Sequence, residues 1–562
     1  MVTDFSMFPS SLEELVDSCI SFYKENNGKM SQECVRETRT ELAVSVEAFH
    51  RACGTLTSLV EDRIKSLKNE SSVILMTAHQ PNFFPYSGVL RKATLSFVLA
   101  KRLEEQLKVP VVSFFGVADQ DFTDDRWVKS ALLPDAERRS GVLELRYNLP
   151  EKLILNKVAK PSKQILNGWR NEIESWFNGK LSSIGYLCKS LGLGVEMKND
   201  GLAKNFEGFW DIVEDAYAKA GTYSDFNAFV LSKIVNDVWR YDTLFCRFSE
   251  CERVFRREFS LLLSRFDEYS KCVKEVIASQ LNLDGGVYEH EHETIPFWFH
   301  CDCGSKARLM AEHQGVSLVG RGECLRCRKQ YKVELCSEGE SKISGILSRI
   351  SARTLAVPLV FFQGLGVNCY VGGVGGKDYL SQAKYVAEHL NMVFPPIVIW
   401  RPRDIYLGVG QIEALMLFRK LSGAFDFSRY SVVEADLRDR IASVQKKIDE
   451  IESQKKDLAE GVGREEDEII ERLKSLSAAQ DRIRKDADFA MLVRNSKLLE
   501  NTAAVMHLYP CIVDYAVNVG LKATSDQWVA FLESDGSLTS DMNLRTDFDN
   551  AIQAIQHESD EK

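Results

Sequence analysis

Several features that would assign this chain to a familiar class are missing from its sequence. Lysine and arginine number 71 against 81 aspartate and glutamate, so the net charge is −10 and no global basic surface for nucleic acid is expected, although a local basic groove remains open. The longest apolar run, 355–370, is broken by polar residues and glycines and is too short to cross a bilayer. The first residues are acidic and lack the apolar segment of a signal peptide. We therefore expect a cytoplasmic protein with no membrane partner.

The length and composition indicate a globular protein of several domains. With 562 residues the chain is too long for one compact core, and its length predicts about three to five domains. Hydrophobic residues make up 45% of the chain and charged residues 27%, which is ordinary for a globular protein.

Two strand–helix–strand units, about 300 residues apart, have the pattern of a parallel sheet. Each unit has two short apolar strands on either side of a helix, as expected for strands buried on both faces. The strands are predicted at 73–77 and 111–117 in the first unit and at 368–372 and 396–400 in the second, with helices at 89–107 and 378–390. We therefore expect an α/β fold with a split Rossmann-like parallel-sheet core, whose site lies at the carboxyl ends of the strands.

The rest of the chain is interpreted as insertions into this core or extensions of it. We expect a long helical insertion and a zinc ribbon between the two halves, and an antiparallel coiled-coil arm after the second half. The predicted regions are an N-terminal helical region (1–70), the first half of the core (71–130), a helical inserted domain (131–295), the zinc ribbon (296–340), the second half of the core (341–433), the coiled-coil hairpin (434–500), and a C-terminal helical segment with an acidic tail (501–562).

Five of the fourteen cysteines crowd into one short stretch of the chain. Cys301 and Cys303 are followed about twenty residues later by Cys324 and Cys327, and the sequence between the two pairs is typical of a hairpin. Two such corners on β-hairpins indicate a structural zinc ribbon, because four thiolates close a tetrahedron around Zn²⁺. His300 would restore the usual two-residue gap to Cys303, so the fourth ligand is either His300 or Cys301. We favour Cys301.

The region 434–500 has apolar residues at heptad-like 4-3 spacing, with charges between them and a glycine break at 461–463. Two helices of about 25–35 residues around this break predict an antiparallel coiled-coil hairpin. The arm either packs on its own body or joins two copies of the chain. The second alternative predicts a homodimer.

The loop after the first predicted strand carries several groups that could contact a substrate. It has an imidazole, amides, hydroxyls and the start of a helix, whose free N–H groups favour a phosphate or a carboxylate. The candidates are Thr77, His79, Gln80, Asn82, Tyr86 and Gly88. His79 is the catalytic candidate, since it could stabilise developing charge, and the alternative is a histidine hydrogen-bonded in a turn.

The loop after the second predicted strand packs four carboxylates into seven residues. Helix capping explains one of Asp124 and Asp125, but not Asp119 and Asp121, which follow the strand directly. We expect Asp119 and Asp121 to act in catalysis by holding an ammonium or ribose group, with Gln120 as a binding residue between them.

A glycine-rich loop follows the first strand of the second unit. Gly372, Gly373, Gly375 and Gly376 precede a helix, and glycines let the backbone approach a ligand closely. The loop matches neither a P-loop nor the GxGxxG pattern. Arg353 could clamp an anion beside it, with a surface salt bridge as the alternative.

At these loops the chain resembles the cysteine-adding enzymes of bacillithiol biosynthesis, the BshC family. The resemblance rests on Thr77–Gln80 with the aromatic and proline residues that follow, on Ala118–Phe122 and on Tyr370–Tyr379, which occur in the family's order and spacing. It covers roughly residues 70–130 and 345–500. It implies a nucleotidyltransferase-type core, a site that includes Tyr379, and a coiled coil that dimerises.

The resemblance implies a ligase that joins cysteine, or a similar thiol amino acid, to the amine of a small sugar-derived acceptor in low-molecular-weight thiol biosynthesis. The carboxylate would be activated by ATP or another nucleotide, with phosphates at the helix starts near Gly88 and Gly372–Gly376. Three alternatives remain open. Residues 79–88 resemble the opening of WbqC-like proteins of glycan biosynthesis, the ribbon and core would suit a tRNA- or RNA-handling protein, and a degenerate cleft would suit a scaffold.

Overall fold

A computed structural model describes most of the chain. The described residues are 8–26, 32–135, 138, 140–190, 200–278, 290–337, 340–400, 404–406, 408–410, 417–418, 420–423, 429–460, 466–507 and 510–546. The predicted glycine break at 461–463 and the end of the predicted acidic tail, from 547, lie outside these residues. Among the described helices, none combines the length and the apolar character needed to cross a membrane.

The strands are numbered in chain order. They are β1 (Val73–His79), β2 (Val111–Val117), β3 (Ser130–Pro134), β4 (Val142–Arg146), β5 (Leu244–Arg247), β6 (Phe297–His300), β7 (Lys306–Gln314), β8 (Ser317–Cys324), β9 (Gln330–Ser337), β10 (Glu340–Ser341), β11 (Ile350–Ala352), β12 (Val367–Gly372), β13 (Ile397–Ile399), β14 (Asp404–Ile405) and β15 (Met542–Asn543).

The α-helices are numbered in the same way. They are α1 (Leu12–Asn26), α2 (Gln32–Cys53), α3 (Ser58–Leu67), α4 (Ser87–Leu107), α5 (Arg126–Lys129), α6 (Lys163–Ser190), α7 (Asp200–Lys219), α8 (Tyr223–Lys233), α9 (Phe248–Cys251), α10 (Arg256–Ser264), α11 (Phe266–Ala278), α12 (Ala356–Leu365), α13 (Lys377–His389), α14 (Tyr430–Glu460), α15 (Glu466–Arg484), α16 (Ala487–His507), α17 (Ile512–Asn518) and α18 (Leu521–Ser534).

A five-stranded parallel sheet forms the centre of the fold, in the order β13-β12-β1-β2-β5. The prediction that both strand–helix–strand units share one parallel sheet is confirmed, because β1 pairs with β12 and Thr77 lies opposite Val371. Side chains reinforce this junction. The Thr77 hydroxyl donates to the Val371 carbonyl at 2.8 Å, and the Ile74 N–H donates to the Asn368 side chain at 2.8 Å.

Both faces of the sheet are buried, which explains why its strands are almost entirely apolar. Alternate residues of β1 and β2 belong to two different hydrophobic clusters, because successive side chains of a strand point to opposite faces. One face is covered by α1 and α4, and α18 packs on α4. The other is covered by α2, α3, α12 and α13. Every loop at the carboxyl edge therefore rests on a rigid layer.

The predicted helical domain at 131–295 is corrected in one respect. It contains helices α6 to α8, α10 and α11, but also the β3–β4 hairpin and β5, which is an edge strand of the central sheet. Strand β5 of this segment therefore belongs to the central sheet. A strand of four residues, Leu244–Arg247, has too short a pattern to be separated from the helices around it.

A second, six-stranded antiparallel sheet has the order β10-β9-β8-β7-β6-β11 and carries the cysteine-rich stretch. The hairpin predicted between the two cysteine pairs is confirmed as β7 and β8. Its strands approach so closely that a Cβ on Gly322 would lie 1.7 Å from the carbonyl oxygen of Arg308. Strand β11 is followed in the chain by Arg353 and α12. This connection joins the sheet to the second half of the core.

The arm consists of α14 lying against both α15 and α16, with a break at Lys485–Asp486. Lys455 reaches Gln480 at 3.2 Å and Arg484 reaches Glu452 at 3.4 Å. Later residues of α15 contact earlier residues of α14, so these two helices are antiparallel. The second predicted helix is therefore two helices.

Candidate functional site

The loops after β1, β2, β5 and β12 open on the same edge of the sheet, because the strands that carry them are parallel. This edge brings together residues that are far apart in the sequence. It is the candidate site, and we call it the carboxyl edge.

A contact between the first two loops lies at its centre. The Gln80 amide donates to the Asp121 carboxylate at 2.8 Å, and both side chains are partly exposed. The charge of Asp121 also raises the pKa of Tyr379, in the first turn of α13, although burial of Tyr379 is the larger cause. Three predicted residues from three different loops, Gln80, Asp121 and Tyr379, therefore lie close together.

The cysteine-rich sheet contributes Lys306 to this edge, a residue that the sequence analysis did not select. The Lys306 side chain is 1% exposed and its ammonium lies over the rings of Phe122 and Trp298 at 5.1 and 5.7 Å. Burial lowers the pKa of Lys306, whereas the charges of Asp121 and Glu252 oppose that shift. No sequence motif marks Lys306, since only the fold places it near the carboxylates.

Glu252, which follows β5, is the second residue that the sequence did not indicate. It is buried, and it accepts hydrogen bonds from the Gln120 amide at 3.4 Å and the Ala352 N–H at 3.1 Å. Burial raises the pKa of Glu252 well above its usual range, and the nearby Lys306 charge lowers it. The predicted binding residue Gln120 is thus held inside the protein, where its carbonyl oxygen has no hydrogen-bond partner among the described residues.

Arg353 forms a buried ion pair instead of an exposed one. Its guanidinium donates to both oxygens of Glu291, at 3.0 and 2.7 Å, and stacks 4.1 Å from the Trp298 ring. It is 2% exposed. Because Glu291 already occupies one side of the guanidinium, Arg353 is better placed to hold Trp298 and the cysteine-rich sheet against the core than to bind a free anion.

Asp119 is fully buried, and its hydrogen bonds favour a structural role over the predicted contact with substrate. Its carboxylate accepts from the Ser249 N–H at 2.9 Å, from the Ser249 hydroxyl and from the Asn156 amide at 3.3 Å. Burial raises the pKa of Asp119, and these donors oppose the shift. The carboxylate thereby ties the loop after β2 to the start of α9 and leaves Asp121 as the accessible acid of the pair.

His79 is hydrogen-bonded in its turn, which is the alternative to a catalytic role. Its Nδ1 lies 3.1 Å from the Gln80 carbonyl, which can only accept, so Nδ1 carries the proton and Nε2 accepts from the Tyr86 hydroxyl at 3.1 Å. Burial, with a contribution from the nearby Lys92 charge, lowers the pKa of His79 to about 3. A neutral imidazole without a free N–H has no donor for a developing anion. We therefore assign His79 the role of orienting Tyr86, whose ring packs on Trp127.

The remaining candidates of the first loop are also held by the protein. Asn82 is buried beside His79, and its side chain opposes the lowering of the His79 pKa. Gly88 lies in the first turn of α4, but the N–H of Ser87 donates to Pro510 at 2.9 Å. The C-terminal segment thus covers the helix start that was expected to bind a ligand.

The glycine-rich loop remains open to a ligand. Gly372 ends β12, Gly375 is exposed with no atom within 4 Å of an added Cβ, and Gly376 is the N-cap of α13. A Cβ on Gly373 would lie 3.3 Å from the Lys92 side chain. Lys92 is the third residue of the edge that the sequence did not indicate.

The four predicted metal ligands come together beside this edge. The sulfur atoms of Cys301, Cys303, Cys324 and Cys327 all lie within 4.8 Å of one another, and two of the pairs are 3.5 Å apart. Four sulfurs at about 2.3 Å from a tetrahedral ion would be about 3.8 Å apart, so this arrangement could hold a metal ion.

The local backbone supports metal binding. The Arg326 N–H points at the Cys324 sulfur at 3.5 Å, and Gly304 adopts a φ of +81° after the first corner, a conformation that glycine tolerates. His300, the other candidate for the fourth ligand, instead contacts the Ser351 hydroxyl at 2.9 Å. The structure therefore favours Cys301.

Neither a protein-family model nor a curated protein matches this chain.

Proposed function

We propose that the protein is a divergent member of the BshC-like ligases, which joins cysteine or a similar thiol amino acid to the amine of a small sugar-derived acceptor. The observation that carries this proposal is the sharing of one sheet edge by the Gln80–Asp121 pair, Tyr379 and the glycine-rich loop. These are the segments on which the resemblance rests.

The proposal interprets the parallel sheet as a split Rossmann-like core of the nucleotidyltransferase type. Supporting it, the two strand–helix–strand units pair directly through β1 and β12. In such cores ligands bind at the carboxyl ends of the strands, where the candidate residues lie.

Amide formation from a carboxylate requires activation. In the proposed reaction the cysteine carboxylate attacks the α-phosphate of ATP, which releases pyrophosphate and leaves an acyl adenylate. The acceptor amine then attacks the acyl carbon, AMP departs and the amine loses a proton. Asp121 would hold the ammonium group of a substrate and Tyr379 would orient it, while close positioning supplies much of the rate.

The four-cysteine cluster is proposed to hold a structural zinc ion in a zinc ribbon. The donor set fits, because four thiolates satisfy the tetrahedral preference of Zn²⁺ and leave no position for water. Zinc would supply no chemistry to the reaction. It would fix the corner from which β7 begins, where the Lys306 carbonyl accepts from the Leu325 N–H at 2.9 Å.

The test is product formation by the purified full-length protein. Cysteine, ATP and glucosaminyl malate are incubated with the wild type, and the thiol adduct is detected by mass spectrometry after thiol labelling. Asp121→Asn is expected to lower product formation at least about 100-fold, the low end of the contribution of a charged active-site group.

Asp124→Asn is the matched control, because this carboxylate belongs to the same loop but is exposed and accepts from the Lys152 N–H at 3.1 Å. The control should retain product formation. If the wild type forms no adduct, with or without nucleotide, the proposed reaction is rejected.

A further inference from the structure

Lys92 is a buried cation at the carboxyl edge. It lies on α4 with a 6% exposed side chain, and its ammonium donates to the Ala78 carbonyl at 2.9 Å, at the end of β1. An ammonium has three N–H groups, so this one bond leaves two of them. Among the described residues no carboxylate forms an ion pair with Lys92 or contributes to its pKa, which burial alone lowers to about 7.

The free side of this ammonium faces the glycine-rich loop. A Cβ built on Gly373 would lie 3.3 Å from the Lys92 Cε and 3.5 Å from its nitrogen, so a side chain at this position would crowd the ammonium. Gly373 follows β12, and Ala78 belongs to β1, the neighbouring strand. The nitrogen therefore lies between the ends of two adjacent parallel strands.

The helix that follows the loop adds donors to the same place. A 3-10 turn at Val374–Gly376 runs directly into helix α13, which begins at Lys377. The Gly376 N–H donates to the Gly373 carbonyl at 2.9 Å, so the N–H groups without a partner inside the helix are those at the start of this turn. The first N–H groups of a helix have no partner within the helix and carry a partial positive charge. Glycine backbone, helix start and a lysine together form the usual recognition unit for phosphate oxygens in proteins.

An anion would stabilise the Lys92 ammonium better than water does. Taking an ammonium out of water without a counter-ion costs several kcal/mol, and a carbonyl dipole offsets only part of that cost. The neighbouring His79 cannot help, because its imidazole is neutral. A phosphate would supply the missing negative charge and accept from the ammonium and the loop together.

We propose that Lys92 and the loop Gly373–Gly376 form a phosphate-binding subsite, in which the Lys92 ammonium pairs with a phosphate group of the substrate. This inference deepens the proposed function and rests on its assignment of the carboxyl edge as the active site. The phosphate could belong to a nucleotide or to a phosphorylated sugar, since both present the same oxygens.

The test is calorimetric titration of the full-length protein with pyrophosphate, ADP and glucosamine 6-phosphate. The wild type should bind at least one of them, and Lys92→Met should weaken that binding at least tenfold. Lys101→Met is the control, because Lys101 lies on the same helix but is exposed and packs on Phe97. Tighter binding of ADP than of glucosamine 6-phosphate would identify a nucleotide, and the reverse would identify a sugar phosphate.

A second measurement keeps the inference testable if Lys92→Met does not fold. Carbamoylation of the wild type by cyanate is followed by peptide mass spectrometry, and pyrophosphate should slow the modification of Lys92 but not of Lys101. Lack of binding by all three compounds, equal binding by Lys92→Met, or no protection of Lys92 would each overturn the subsite.

The outcomes separate this inference from the proposed ligase reaction, because binding is measured without cysteine or acceptor. Phosphate binding that depends on Lys92, in a protein that forms no adduct, supports the subsite and rejects the ligase. Adduct formation that Lys92→Met leaves unchanged supports the ligase and rejects the subsite.

Discussion

At the scale of single residues, several ionisable side chains of the carboxyl edge are buried. Asp119 and Glu252 have raised pKa values and Lys92 and Lys306 have lowered ones, in each case chiefly because of burial. Buried charges contribute little net stability, since desolvation offsets their attraction. Perturbed groups of this kind concentrate at functional sites, although structural networks also produce them. Asp119, with three donors, is an example of the structural kind.

His50 provides a prediction about pH at this scale. It is fully buried on α2, where Nε2 accepts from the Phe245 N–H at 2.9 Å and Nδ1 lies 2.8 Å from the Thr55 hydroxyl. Burial lowers the pKa of His50 from 6.5 to about 3, so the unfolded chain binds a proton that the folded protein does not. The stability that His50 contributes is complete above pH 6.5 and should fall by about 1.4 kcal/mol per pH unit as the pH drops toward 3.

The measurement is urea unfolding of the wild type and His50→Gln between about pH 4 and pH 7. The variant should show a shallower dependence of stability on pH. His313→Gln is the control, because the His313 side chain is 56% exposed. Identical slopes for the wild type and His50→Gln would contradict the expected linkage.

At the scale of secondary-structure elements, the cysteine-rich hairpins are the part whose order we expect to depend on the proposed zinc ion. The two corners are tight turns, with positive φ at Gly304 and Arg328, and the hairpin between them needs glycine at Gly322. Without a metal the cysteines take up protons and no ion joins the two corners, so the corners should open when the ion is removed. Lys306 begins β7 directly after the first corner and would move with it.

Metal removal should therefore loosen the hairpins and leave the central sheet intact. Cys303→Ser should lose the bound zinc, whose binding contributes about 10–16 kcal/mol in small zinc domains. Hydrogen exchange should increase across 297–337 and change little in β1 and β2. Zinc content and exchange are both read by mass spectrometry.

Cys336→Ser is the control for this prediction, since Cys336 is buried in the same sheet but lies outside the four-cysteine cluster. It should keep one zinc ion per chain. Equal zinc content in Cys303→Ser and the wild type would show that the cluster is not the metal site.

At the scale of the whole molecule, the chain builds one sheet from segments that its sequence separates widely. Strands β1 and β12 are neighbours although about 290 residues lie between them, and β5 comes from a third region. The apolar residues at the 4-3 positions of α14, which we call the seam of the arm, are incompletely covered. Ile441, Val444 and Ile451 are partly exposed, whereas Leu437 and Ile448 are buried.

The partly exposed seam predicts that two copies of the chain associate through the arm. Light scattering of the wild type should give twice the mass of one chain. The double variant Val444→Glu/Ile451→Glu should give a monomer, because a buried carboxylate costs several kcal/mol.

Val432→Glu is the matched control. Val432 lies on the same helix but is 67% exposed and outside the 4-3 pattern, so this variant should stay dimeric. A monomeric wild type would leave the arm as an element that packs only on its own body.

The sequence predicted four strands of the sheet well, because a strand buried on both faces has a short apolar run and few other structures have this pattern. The predicted helices at 89–107 and 378–390 agree with α4 and α13 to within two residues at each end. The clustering of the four cysteines was also predictable, since a metal site needs fixed residue types at fixed spacing. The short strand β5 was not, because four residues carry no periodicity.

The candidate site was predictable only in part. The sequence alone determined that chemistry-bearing loops follow parallel strands, since that depends on local patterns of apolar and glycine residues. Tertiary structure decided which side chains reach the edge: it buried Asp119 and Gln120, used the His79 donor within its own turn, and brought Lys92, Glu252 and Lys306 to the edge. The physical reason is that exposure and charge pairing depend on neighbours distant in the sequence, which no local pattern records.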